Sequence, residues 1–388
     1  MKRDRVVGLK HPEDARPQLA PIGLEGGDQI QDAVRDLITT YHSLNPSTID
    51  TLSSEPSPLE FMRYVSLNRP FVIRSGARSW PAVQNWNASY LLSAMHDNSV
   101  NVAITPHGNA DSIVTLDAHT KLFVKPFETP LPFADVLRSI QQQEASAPSP
   151  DVHQQTQPST PPIFYAQTQN DNLRAEYTAL FADVPDSVPW ARIALQKPPD
   201  AINFWLGNSR STTALHKDPY ENIYIQVLGQ KHFTLLPPIC APCVNEMGVL
   251  AATYRPRSSA PAAGYDDLVM QVDEPSEYVP FAAWDPDSPE RNGTKYSRLA
   301  QPMRVTLGEG DVLYLPALWY HKVAQTCDEE GLCCAVNYWY DVDFGGGFWS
   351  MANFVRGVGL LSLRDGDGDG EDGRGASDDA AKKTVDGN

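Results

Sequence analysis

Short apolar runs, each stopped by glycine or proline, recur along the chain: FVIRSG, VNVAIT, IFYAQTQ, INFWLG, ENIYIQVLG, KHFTLLPP, MRVTLGEG, DVLYLP and LCCAVNYWY. They are too short for typical helices and rich in β-branched and aromatic residues, which pack well on a pleated surface. So many strands of this kind suit a β-sandwich-like barrel. ENIYIQVLG and KHFTLLPP meet at a turn on Gly229, and GEGDVLYLP reads as a turn at Gly310-Asp311 feeding a buried strand. The spacing predicts a helix over Asp28–His42, where Ile30, Val34, Leu37, Ile38 and Tyr41 form an apolar stripe and Asp28 is placed to cap it. A second helix is predicted over Phe133–Gln143. With 388 residues, 41% of them hydrophobic, the chain can bury a full core, and its length allows more than one domain. There is no internal repeat.

Four residues in this framework carry chemistry. His216 and Asp218 stand in TALHKDPYENIY, Lys231 in GQKHF, and His321 in LPALWYHKV. On extended backbone, residues i and i+2 point to one face, so His216 and Asp218 can grip one ion together. His321, 105 positions further on, must be brought in by the fold. Two histidines and one carboxylate are the facial set that holds non-heme Fe(II) with open coordination positions, although the same residue types also make hydrolytic zinc sites. A buried Lys231 would require a carboxylate partner, because an unpaired buried ammonium is costly. Thr213 offers a hydroxyl and Tyr165 a phenol. Period-two alternation puts Asn222 with Tyr224, and Asn337 with Trp339, on shared strand faces.

The run NFWLGNSRSTTALHKDPYENIYIQVLGQKHFTLLPP, followed by GDVLYLPALWYHKV and AVNYWYD, resembles the JmjC-domain oxygenases. It is most similar to the small JmjC-only hydroxylases, and among them to lysyl hydroxylases of the JmjC-domain-containing protein 7 type. The likeness spans roughly residues 55–355. It implies a mainly β protein with flanking helices (α+β) on a double-stranded β-helix, the jelly-roll or cupin-like JmjC fold. It also implies Fe(II) held by His216, Asp218 and His321, with 2-oxoglutarate and O2 as co-substrates. Lys231, Thr213 and Tyr165 match positions that hold the distal carboxylate of 2-oxoglutarate. Asn222 and Asn337 match positions near its chelating end, and Tyr224 and Trp339 complete the co-substrate pocket. The implied reaction is hydroxylation of a protein lysine, with a translation-associated GTP-binding protein as target. The alternatives are N-methyl-lysine demethylation or histone-tail processing, although no protease nucleophile or HExxH motif is present, and a non-catalytic cupin-like binding protein. A homodimer is compatible with the resemblance.

The remaining segments read as an N-terminal helical extension (1–54), the catalytic domain (55–355) with a disordered Gln/Ser/Pro/Ala-rich insert at 141–162, and a disordered acidic tail (365–388). The stretch Ala241–Pro302 also looks like an addition, placed by analogy at the substrate entrance. In the tail, Asp365, Asp367, Asp369 and Gly370 imitate half of a calcium loop, but Ala376 falls where a bidentate Glu is required. Five cysteines (Cys240, Cys243, Cys327, Cys333, Cys334) without a signal peptide predict free thiols and a cytosolic or nuclear protein. No stretch suits a membrane span. The formal net charge of −17 disfavours nucleic acid and favours a basic protein substrate. Glu221 and Asp341 are the acidic candidates for contacting that substrate.

Overall fold

The computed structural model describes residues 29–117, 120–146, 161–168, 171–257, 265 and 267–364. The Asp28 cap, most of the 141–162 insert and the tail with its calcium-loop imitation lie outside the described residues. In chain order the strands begin with β1 (Asp50–Leu52), β2 (Phe71–Ile73), β3 (Ser99–Thr105), β4 (Ser112–Thr115), β5 (Lys121–Lys125) and β6 (Phe127–Pro132). There follow β7 (Ile163–Tyr165), β8 (Ala201–Gly207), β9 (Thr213–His216), β10 (Tyr220–Leu228), β11 (Gln230–Leu236) and β12 (Glu246–Pro256). The series ends with β13 (Leu268–Val272), β14 (Tyr278–Ala282), β15 (Met303–Leu307), β16 (Val312–Leu315), β17 (Tyr320–Thr326) and β18 (Cys333–Asp341). The helices are α1 (Gln29–Leu44), α2 (Pro58–Leu67), α3 (Pro81–Asn85), α4 (Ala88–Met95), α5 (Phe133–Ala145), α6 (Asn172–Ala175), α7 (Pro189–Leu195) and α8 (Gly347–Arg364).

Two sheets face each other. The larger has the order β1-β2-β16-β10-β18-β8 and the smaller β15-β11-β17-β9. Gly229, at φ 66°, makes the turn from β10 in one sheet to β11 in the other; a side chain there would meet the Thr326 carbonyl at 2.6 Å. Between the sheets pack Tyr224, Leu313 and Leu315 from one side and Phe233, Leu235 and Val323 from the other. The outer face of the larger sheet is covered by a second core in which Phe61, Trp190, Phe204, Tyr314 and Tyr338 are buried. This is the mainly β, jelly-roll arrangement with flanking helices that the resemblance implies, and each of the apolar runs read as strands contains one.

Three expectations change. First, α5 continues to Ala145, so the start of the 141–162 segment is helix, held by Gln143, whose side chain donates to the Pro162 carbonyl and accepts from the Phe164 amide. Second, the apolar stripe of α1 is narrower than its sequence suggests. Val34 and Ile38 are buried, but Ile30 is 48% exposed and Leu37 39%, because α1 meets the body along one ridge only. Third, Ala241–Pro302 is not merely a loop-rich addition. It supplies β12, β13 and β14, which join β5 and β4 in a further sheet of order β13-β12-β5-β4, with β14 on β12. Its proline and aspartate content masked β12, whose neighbours lie far away in sequence (Leu250 opposite Leu122).

Candidate active site

The antiparallel pairing of β9 with β17 sets His216 directly opposite His321. Asp218 lies just past the end of β9, and Lys217 between them reaches away to Glu246 (2.7 Å) and the Tyr320 hydroxyl (3.0 Å). Both imidazole Nε2 atoms stand 3.6 Å from the same Asp218 Oδ2. The ligand atoms of the three residues lie within 4.8 Å of one another. Each ring is fixed from behind, His216 Nδ1 against the Ala214 carbonyl at 2.8 Å and His321 Nδ1 against the Trp319 carbonyl at 3.0 Å. A backbone acceptor at Nδ1 assigns the proton there and leaves the Nε2 lone pair facing Asp218, as metal-ligating histidines require.

The turn before His321 is itself held. Leu318 is in the left-handed region (φ 67°), which costs a leucine about 1–2 kcal/mol, and its amide donates to the Asp218 carbonyl at 2.9 Å. That bond joins the turn before His321 to the loop that carries Asp218. Burial pulls the His216 pKa down, but Asp218 outweighs it and leaves the ring above its ordinary value. His321 is lowered to about 4 by burial and by His216 beside it. Burial pushes Asp218 up, yet the two histidines hold its carboxyl below the usual range.

The same cavity, of about 410 Å³, contains every other site residue expected from sequence: Thr213, Tyr165, Lys231, Asn222, Tyr224, Asn337 and Trp339. Lys231, 2% exposed, donates to the Tyr165 hydroxyl (2.9 Å) and to Gln325 Oε1 (2.6 Å). Burial works against its ammonium, the oxygens of Tyr165 and Tyr224 favour it, and the balance holds the pKa above the ordinary lysine value. The expected carboxylate partner is not found among the described residues, which leave the buried amine with the neutral oxygens of Tyr165 and Gln325. Trp205 Nε1 donates to Asn337 Oδ1 (2.6 Å), and Asn337 in turn donates to Asn222 Oδ1 (3.0 Å). With its oxygen engaged, the Asn222 amide group is left to donate into the cavity. Trp339 stacks on Tyr220 at 4.8 Å with the rings parallel, and Tyr224 meets Phe233 edge-on at 5.1 Å.

Several contributors escaped the sequence reading. Gln325 has a legible signal, since it lies four residues after His321 on β17 and therefore on the same strand face, opposite Lys231. Gly207 has none. A Cβ there would sit 2.5 Å from the Tyr165 ring and 2.8 Å from Gln325, so only glycine lets both reach the lysine. Phe123, Val279, Pro280 and Phe281, from the additional sheet, form an apolar wall, and Asp111 adds a carboxylate. Burial raises that carboxyl to about 6. The two acidic substrate candidates are misplaced. Glu221 points to the far face of β10, accepting from the Tyr314 hydroxyl (2.6 Å) and the Ala317 amide (3.2 Å), as alternation with Asn222 demands. Asp341, at the end of β18, does not line the cavity; its backbone carbonyl takes Lys197.

A jelly roll with an open two-histidine, one-carboxylate cluster is oxygenase architecture. The cupin-like domain family matches residues 56–346. The human bifunctional peptidase and (3S)-lysyl hydroxylase JMJD7 is 37% identical over 300 residues, 77% of this chain and 86% of that protein. The lysine-specific demethylase JMJ32 of Arabidopsis thaliana is 35% identical, over 76% of this chain and 82% of that protein. The JmjC domain-containing protein E of Dictyostelium discoideum is 33% identical, over 75% and 83%. The chain belongs to the cupin-like domain family, among its JmjC members. It is an enzyme of the JmjC dioxygenase class.

Proposed function

We propose that this protein uses Fe(II), 2-oxoglutarate and O2 to hydroxylate a lysine side chain in a basic protein. His216, Asp218 and His321 would hold the iron. The donor set fits: two imidazole nitrogens and a carboxylate converge on one point, and the outer ring nitrogen of each histidine faces a backbone carbonyl. Lys231, with Tyr165, Gln325 and Thr213, would hold the distal carboxylate of the keto acid, and Asn222 and Asn337 would stand near its chelating end. Iron and keto acid together supply the oxidising power for placing one oxygen atom in a C–H bond.

The observation that carries the reading is Lys231. A buried ammonium with no counter-ion among the described residues, in the cavity that also contains the triad, calls for a dicarboxylate able to span the two. The chain's own residues do the rest. Lys231 orients the co-substrate, Phe233 and Tyr224 keep water from its length, and the apolar wall of Phe123 and Phe281 shapes the route for a substrate side chain. The formal charge of −17 favours encounter with a basic partner. The human relative's name supports lysine as substrate, and the Arabidopsis relative's name supports the second reading, removal of a lysine N-methyl group.

Product mass spectrometry tests both. The protein is incubated with Fe(II), 2-oxoglutarate, O2 and either a translation-associated GTP-binding protein or a methyl-lysine histone peptide, with His216→Ala as control. One added oxygen on a lysine, absent in the control, is expected. Loss of a methyl group instead would favour demethylation, and neither product, with no succinate formed, would overturn the reading.

A further inference from the structure

Outside the triad and Lys231, the cavity wall carries Lys217 and Glu246, which pair with each other, and Asp111. Asp111 follows β3 on the loop into β4 and lines the cavity beside Ala110. No hydrogen bond or ion pair satisfies its carboxylate among the described residues. The neighbouring cations are already engaged: Lys125 with Asp273 (2.7 Å), Lys217 with Glu246 (2.7 Å), and Lys231 with Tyr165 and Gln325. Nor does Asp111 belong to the metal cluster, whose ligand-bearing residues are His216, Asp218 and His321 alone among the described residues. It lines the same cavity as His216, yet stands outside that group of converging ligand atoms.

The backbone at Asp111 is in the left-handed region (φ 51°), where Asp and Asn are tolerated and most residues are not. The loop thus holds a carboxylate at the cavity wall in a conformation few other side chains would accept. The same cavity is lined by Phe123, Val279, Pro280 and Phe281, an apolar surface that suits a polymethylene stem better than a polar one. A half-buried anion without a partner beside an apolar wall is completed by a long aliphatic side chain ending in a cation.

We propose that Asp111 is the specificity-determining residue for the substrate, pairing with the ε-ammonium of the target lysine while Phe123 and Phe281 hold its stem. The proposal rests on the lysine-hydroxylation reading above. Asp111 selects the side chain to be oxidised and takes no part in oxygen chemistry.

The test uses the full-length protein with Fe(II), 2-oxoglutarate and a set of synthetic peptides carrying one central lysine, with matched norleucine and arginine peptides. Peptide-dependent succinate release and product mass are read as kcat/KM. The wild type should prefer lysine over norleucine, and Asp111→Asn, which suits the left-handed backbone, should reduce that ratio by about 30-fold or more. Asp111→Glu should restore part of the preference for lysine. The ratio is internal to each variant, so a general loss of activity does not move it, and thermal melts report folding separately. An unchanged lysine-to-norleucine ratio in Asp111→Asn would overturn the role of Asp111 and leave lysine hydroxylation standing. If the wild type oxidises none of the lysine peptides while oxidising another class, both the reading and this inference fail together.

Discussion

At the scale of single residues, the site depends on which side chains share a strand face. Asn222 and Tyr224 face the cavity while Glu221, the residue before Asn222, turns to the opposite core, so one step of register separates a cavity residue from a buried structural one. Lys231 tests the co-substrate assignment. Lys231→Ala should raise the KM for 2-oxoglutarate by about 30-fold or more, because losing one partner of a buried charge pair costs about 2–5 kcal/mol. Steady-state succinate assays check this, and an unchanged KM would remove Lys231 from the carboxylate site. Gly207→Ala probes the same contact from behind. Its methyl group would enter the space of the Tyr165 ring, and overpacking of that kind costs about 1–3 kcal/mol. Part of that cost should appear as a weaker grip on 2-oxoglutarate. A titration showing equal affinity in Gly207→Ala and wild type would contradict the packing argument.

At the scale of elements, α8 packs against the segment Pro238–Cys243 and reaches the candidate site through Arg356. Its Arg356 pairs with Glu246 on β12, and Glu246 also takes Lys217, the residue between two members of the triad. Gly359 lets the helix lie against the segment Pro238–Cys243. A Cβ there would stand 2.3 Å from Pro242 Cγ, in a ring that cannot swing aside. Gly359→Ala would ordinarily stabilise a helix by about 1 kcal/mol. Here the clash should reverse the sign, and calorimetry should find a lower melting temperature. This close approach was not legible in LLSLR or in the preceding glycines, because its cause is a proline more than a hundred residues earlier in the chain.

At the scale of the whole molecule, charge and pH govern behaviour. Burial pushes Glu246 up, but Arg356 and Lys217 outweigh it and hold its carboxyl below the ordinary value of 4.5. A depressed folded pKa means that the unfolded chain binds the proton first. The stabilisation is therefore complete above the unfolded value near 4.5 and is lost as pH falls through the lower folded value. Denaturant melts across this acid range should show wild-type stability rising with pH, and Glu246→Gln should flatten that rise. Hydrogen bonds to a charged group are worth about 1.5–3 kcal/mol, which sets the expected loss at neutral pH. The net charge of −17 gives a separate expectation: kcat/KM for a basic protein substrate should fall with added salt, and the turnover number at saturation should not. Salt-independent kcat/KM would show that surface charge plays no part in encounter. No helix among the described residues is long and apolar enough to cross a membrane.

A β-sandwich-like barrel was legible because strand runs bounded by Gly and Pro are local signals, as is the i, i+2 spacing of His216 and Asp218. The family resemblance added the jelly-roll fold and roles for His321 and Lys231. Everything that depends on contacts distant in sequence was decided by tertiary structure. Gln325 reaches Lys231 through the β11–β17 register, Gly207 makes room for Tyr165, and β12 pairs with β5 across more than a hundred residues. Asp111 lines the cavity only because the fold brings the loop before β4 to it. Spacing along a strand tells which residues share a face, but only packing tells what that face meets.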